Sequence, residues 1–133
     1  MDNEKPIKNT GRSIQLLFVE DDSFVVRIAE MYFGHKGYLI KPAYNGREAL
    51  EIFKKYHDLF DVVVTDYSMP KMNGLELALA IKEIVADARI ILITGKSEFI
   101  DKNQIAEAGI TKTIIKPFKF DELDSTIKEV LAG

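Results

Sequence analysis

Three adjacent acids, Glu20, Asp21 and Asp22, follow the apolar run IQLLFV. A fourth acid, Asp66, closes the run VVVT and is followed by YSMPKMNG. The run RIILIT ends in Thr94 with Gly95 behind it, and KTII leads into Lys116, Pro117 and Phe118. Brought to one place, these run ends would gather carboxylates, a hydroxyl and an ammonium. Carboxylates a few ångströms apart cannot all stay ionised without compensation, so one takes up a proton or a cation sits among them. Oxygen ligands with no His or Cys beside them suit a hard ion, with Mg²⁺ expected and Mn²⁺ able to substitute. Magnesium keeps several waters and takes one or two carboxylates plus phosphate oxygens, which matches Asp21, Asp66 and a phosphodonor. A carboxylate is also a covalent nucleophile toward phosphoryl groups. Lys116 and the Thr94 hydroxyl can hold the remaining phosphoryl oxygens, and Gly95 lets the backbone approach them closely.

The elements that must position these residues are legible in the pattern. Residues 14–19, 39–43, 62–65, 89–94 and 112–115 are short, rich in β-branched side chains and bounded by polar or turn residues, so each reads as a strand. Residues 23–35, 47–57, 75–85, 98–108 and 120–131 read as helices, the last with Leu123, Ile127, Val130 and Leu131 on one stripe. Gly37 and Gly109 stand where helix C-terminal stops are expected. Strict strand–helix alternation calls for a parallel sheet with helices on both faces. The first, third and fourth strands are nearly all apolar, as strands buried on both sides should be. The second carries Lys41 and Pro42, and proline cannot donate to a ladder, so that strand belongs at an edge. The fifth interleaves threonines and a lysine with its isoleucines. The expected fold is therefore α/β, a flavodoxin-like doubly wound five-stranded parallel sheet of order 2-1-3-4-5. Its ligand site lies at the carboxyl ends of the strands.

Bulk composition bounds the function classes. A chain of 133 residues, 47% hydrophobic and 29% charged, fits one domain with an ordinary packed core. We read residues 1–12 as a flexible N-terminal tail and 13–133 as the domain. A net charge of −3 gives no electrostatic reason to expect nucleic acid or an anionic membrane as a partner. The absence of cysteine excludes disulfides, thiolate metal sites and a Cys nucleophile. No apolar run approaches a membrane span and the N-terminus lacks a signal-peptide centre, so a cytoplasmic location is expected.

Four motifs in order, LLFVEDD, VVVTDYSMPKMNG, ILITG and IIKPF, make the chain from about residue 13 to 130 resemble the receiver domains of two-component response regulators. The resemblance implies a phosphoacceptor switch that receives a phosphoryl group from a histidine kinase or histidine phosphotransfer protein. It implies Asp66 as acceptor, Glu20 and Asp21 as the acidic pair that organises the metal, and Ser68 as a ligand through its backbone carbonyl. Thr94 matches the switch hydroxyl, and Lys116 the lysine that pairs with the phosphoryl group. The Lys116–Pro117 bond is expected to be cis. The side chains of Ser68 and Lys96 match the positions that flank the path of hydrolytic water and tune dephosphorylation. One departure stands out: three residues before the lysine the family often has Tyr or Phe, and here it is Thr113. The ring movement tied to that position is not carried over.

Plainer readings exist for each residue alone. Asp22 suits a helix N-cap, Glu20 and Asp21 could serve the same helix, Asp66 could be a turn acid and Lys116 a surface charge. His35 and His57 fall near helix ends, where a solvated histidine is commonplace. Phe118 and Phe120 suit anchoring of the last helix, and Met69 and Met72 packing around their loop. A metal-dependent phosphatase with an aspartyl-phosphate intermediate would need a second acid two residues after the nucleophile, where Ser68 stands. A flavodoxin-like cofactor binder would need a hydroxyl- and glycine-rich cradle after the first strand, where three acids would repel an anion. The expectation is thus a self-phosphorylating receiver rather than a turnover enzyme. It would control a downstream protein target; the sequence stops at Gly133 without an output domain, and both a stand-alone receiver and a piece of a longer regulator fit.

Overall fold

The computed structural model describes residues 12–133. The tail reading of residues 1–11 lies outside the described residues. Arg12, which we grouped with that tail, is paired instead: its guanidinium lies 2.9 Å from the buried carboxylate of Asp61. Asp61 also accepts the Gln15 N–H at 2.8 Å.

The elements alternate without exception: β1 (Gln15–Val19), α1 (Ser23–His35), β2 (Leu39–Ala43), α2 (Gly46–Tyr56), a 3₁₀ turn (His57–Leu59), β3 (Val62–Asp66), α3 (Gly74–Ile84), β4 (Ile90–Thr94), α4 (Lys102–Glu107), β5 (Lys112–Ile115) and α5 (Phe120–Ala132). All strand pairings are parallel, in the order β2-β1-β3-β4-β5. Pro42 sits on the edge strand β2, where its missing N–H breaks no ladder to a further strand.

Alternation along each strand sends side chains to opposite faces, and each face has its own core. Leu16, Phe18, Val62, Val64, Ile91 and Ile93 pack against Val26, Ala29 and Phe33 of α1 and Leu123, Ile127 and Val130 of α5. Leu17, Val63, Ile90 and Leu92 pack against Ala49 and Phe53 of α2 and Leu77, Ala78 and Ile81 of α3. Phe120 stacks on Tyr32 and meets Phe33 edge-on, and Phe118 meets Phe120, so these rings anchor the start of α5. Asp124 of α5 is buried and accepts the Tyr38 hydroxyl, with Lys128 3.5 Å away. Burial, followed by that carboxylate, pushes the Tyr38 phenol pKa upward.

Local signals explain the helix boundaries. Asp22 caps α1 by accepting the Phe24 N–H, Asn45 caps α2, and Asn73 and Glu76 form a reciprocal capping box on α3. Gly37 and Gly109 adopt φ of +89° and +73° just past α1 and α4, a conformation that costs glycine little. The fourth helix is much shorter than the 98–108 expected from sequence. Asp101 caps it by accepting the Asn103 N–H, so it begins only at Lys102. Glu98, expected as its first residue, is instead part of a turn in which its N–H donates to the Gly95 carbonyl. No residue of α4 itself is buried. Among the described residues no helix is long and apolar enough to cross a membrane.

Candidate functional site

Parallel strands all end on the same edge of the sheet, so the residues after β1, β3, β4 and β5 converge there. Glu20, Asp21 and Asp66 each bring a carboxylate oxygen to within 4.8 Å of the others. Glu20 and Asp66 are buried, while Asp21 is exposed at the mouth. Lys116 Nζ lies 2.9 Å from Asp66 Oδ1, an ion pair between a half-exposed ammonium and an almost fully buried carboxylate. The Lys116–Pro117 peptide bond is cis.

Electrostatics follow from that packing. Burial pushes the Glu20 carboxyl up to about 7; the neighbouring Asp66 charge adds to the rise, while the Asp22 N–H and Lys116 oppose it. Burial likewise raises Asp66 above the ordinary carboxylate range, against the pull of Lys116. Burial alone would lower Lys116, but Asp66, Glu20 and Glu98 outweigh it and raise its pKa. One ammonium therefore faces more negative charge than it can neutralise. An all-oxygen donor set with an unmet need for positive charge fits a hard divalent cation.

The loop after β3 is held by close packing. A methyl group on Gly74 would lie 2.6 Å from the Asp66 carbonyl oxygen and 2.7 Å from Leu92 Cδ1, so only glycine fits there without displacing the acceptor's own backbone. The Gly74 N–H donates to the Tyr67 carbonyl at 2.8 Å. Met69 and Met72 pack from this loop against the core. Lys71 carries φ of +73°, a left-handed conformation uncommon for a side-chain-bearing residue. Ser68 is exposed, two residues beyond Asp66.

A cleft of about 650 Å³ opens beside the acids, lined by Glu20, Asp22, Gly95, Lys96, Lys116 and Phe118 among others. Thr94 is buried at the end of β4 and borders a second cleft of about 380 Å³ with Glu98, Ile105 and Thr113. Thr113 is exposed on β5. Neither His35 nor His57 lines either of these clefts. One participant escaped the sequence reading: Glu98 Oε1 accepts the Gly95 N–H at 2.6 Å. The available signal was an acid three residues after Gly95, the spacing of a capping-box acid.

Comparison with known proteins agrees with the fold. The sequence model of the response regulator receiver domain matches residues 16–128. Response regulator ArlR of Staphylococcus aureus is 32% identical over 117 residues, covering 88% of this chain and 52% of that protein. The chain thus spans about half the length of the curated relatives it matches. Chemotaxis protein CheY4 of Vibrio cholerae superposes with a TM-score of 0.82 at 28% identity, covering 90% of this chain and 99% of that one. CheY in the CheX–CheY–BeF3–Mg²⁺ complex of Borrelia burgdorferi superposes with a TM-score of 0.81 at 27% identity, covering 90% of each. With the order 2-1-3-4-5, the converging acids and a family match over most of its length, this chain belongs to the response regulator receiver domain family.

Proposed function

We propose that this domain is a phosphoacceptor switch in which Asp66 takes a phosphoryl group from a phosphohistidine on a histidine kinase or histidine phosphotransfer protein. The observation that carries this reading is the gathering of Glu20 and Asp21 around the Asp66 carboxylate, which Lys116 also reaches. An Asp66 oxygen attacks phosphorus, the phosphorus–nitrogen bond breaks, and its electron pair returns to the imidazole. Asp21 and Asp66, with Glu20 behind them and the Ser68 carbonyl, would hold Mg²⁺ (or Mn²⁺), which when bound neutralises charge on the transferring oxygens. Lys116 stays beside the acceptor and holds a phosphoryl oxygen, and Gly95, lacking a side chain, leaves the backbone free to approach the group closely. The Borrelia relative, which forms a complex with Mg²⁺ and BeF3, supports the same chemistry here. The reaction is on the domain itself rather than a turnover of external substrate, and the setting is cytoplasmic.

The output is a population shift. The phosphoryl group favours the conformer in which the Thr94 hydroxyl is drawn toward it, and the surface around α4 and β5 follows to control a protein partner. Because α4 buries none of its own residues, moving it sacrifices little packing. With Thr113 at the usual aromatic position, that movement proceeds without a ring swinging inward. The test is intact-mass measurement after incubation with acetyl phosphate and Mg²⁺. An acid-stable, base-labile adduct of one phosphoryl group is expected on the peptide holding Asp66. An unmodified chain under both acetyl phosphate and a phosphohistidine donor would sink the reading.

Signal lifetime is a further part of this reading. Hydrolysis needs a water in line with phosphorus, opposite the leaving carboxylate. Ser68 is short and leaves that approach open. Lys96 lines the same cleft as Lys116, and its long stem can lie across the phosphoryl face while its ammonium pairs with an oxygen. Lys96→Ala is expected to shorten the phosphoryl half-life several-fold with little change in uptake, measured by decay of the mass adduct. A half-life that is unchanged or longer removes Lys96 from the mechanism.

A further inference from the structure

The Gly95 N–H, a backbone donor at the end of β4 on a residue lining the acceptor cleft, is already taken. Glu98 Oε1 accepts it at 2.6 Å. The Glu98 carboxylate lies over the glycine itself: a methyl group at position 95 would be 3.5 Å from Oε1 and 3.7 Å from the carboxyl carbon. The turn is closed from the other side as well, with the Glu98 N–H donating to the Gly95 carbonyl at 3.1 Å. This carboxylate is close enough to Asp66 and Lys116 to act on the charge of both. A negative group thus stands within electrostatic reach of the acceptor, on the backbone of a residue that lines the cleft with Glu20 and Lys116.

Two anions cannot share one N–H. A phosphoryl group on Asp66 would bring further negative charge toward Glu98 and compete for the same hydrogen. Glu98 is only partly buried and precedes a helix with no buried residue, with Ile100 and Ile105 only partly buried against the core, so its departure costs little packing. It also borders the second cleft with Thr94 and Thr113, so movement of Glu98 changes the surroundings of the switch hydroxyl directly.

We propose that Glu98 is an internal competitor for the phosphoryl seat: it holds the Gly95 N–H in the resting protein and must be displaced when Asp66 is phosphorylated. The inference rests on Asp66 being the phosphoacceptor. Glu98 is then a positioning residue with two effects. It weakens the hold of the site on a phosphoryl group, and it ties arrival of that group to rearrangement of the segment from Gly95 to Asp101. The short contact is a charge-assisted hydrogen bond, and losing it removes a competitor from the seat, with an expected gain of about tenfold in affinity for a phosphoryl mimic.

The experiment compares wild type, Glu98→Gln and Glu98→Ala, with the Gly95 amide followed by NMR and beryllofluoride titrated in the presence of Mg²⁺. In the metal-free proteins, the Gly95 amide proton is expected to move upfield and exchange faster in Glu98→Ala. Beryllofluoride is expected to bind both variants about tenfold more tightly than wild type, since both lose the competing charge. A turn-capping role alone would move the amide signal and leave beryllofluoride affinity unchanged or weaker, which overturns the proposal. An unmoved Gly95 amide overturns it too. If wild type binds no beryllofluoride, the phosphoacceptor reading falls and this inference with it. If wild type binds it and the variants bind no more tightly, this inference alone falls.

Discussion

Asp66→Asn is expected to take up no phosphoryl group from acetyl phosphate or a phosphohistidine donor while remaining folded. The amide has nearly the same shape as the carboxylate, so the packing of the β3 end and the Gly74 turn is retained, but it offers no anionic oxygen to attack phosphorus. Stability should hold or rise in the absence of metal. Removing one partner of a buried ion pair is ordinarily costly because it strands the other charge. Here the partner left behind, Lys116, is 41% exposed and keeps its solvent. Asp66, by contrast, is a carboxylate whose pKa in the folded state is raised by burial. A carboxyl with a raised folded pKa opposes folding once the pH exceeds its unfolded value, so a neutral amide removes an unfavourable charge at neutral pH. Intact mass and a melting curve check both halves. Adduct of equal yield in mutant and wild type would move the acceptor to another residue.

Magnesium at millimolar concentration is expected to raise the melting temperature of the unphosphorylated domain, and Asp21→Ala to abolish that rise. The acids are held together by the fold whether or not a cation compensates them, so an ion that binds the folded state alone stabilises it. At a free concentration ten times the dissociation constant the gain is about 1.4 kcal/mol, a shift of a few degrees for a domain of this size. Asp21 is the exposed member of the trio and the one not already paired with a lysine or a backbone N–H, so it is the acid freest to meet an ion entering from water. Its loss should weaken Mg²⁺ binding beyond the roughly 10–100-fold typical of losing an outer-shell partner. Isothermal titration with Mg²⁺ measures this directly. Identical melting curves with and without the ion would argue against a metal site in the resting protein.

Element types and strand order were legible because they depend on local composition. β3 and β4 are apolar on both faces, β2 carries a proline that confines it to an edge, and helices are marked by their capping residues and terminal glycines. Once the order was set, the meeting of Glu20, Asp21, Asp66 and Lys116 followed from parallel strands ending on one edge. The α4 boundary was misjudged because helix propensity in residues 98–101 competes with two side-chain contacts: Glu98 folds back on Gly95 and Asp101 caps the helix later. The Arg12–Asp61 pair has no local signal either, the two residues lying 49 apart in the chain.

By itself, then, the sequence determined the alternation, the sheet order and the set of groups at one edge, because apolar periodicity, proline and glycine act within a few residues of where they stand. Only the tertiary structure decided the electrostatics and hydrogen bonding of that edge. Glu20 is pushed up to about 7 by burial and by Asp66, a neighbour from another strand. The Gly95 N–H points at Glu98 rather than at open solvent. Desolvation depends on what the whole fold places around a group, which no spacing along the chain encodes, and the three-residue spacing of Glu98 from Gly95 permits their contact without fixing it.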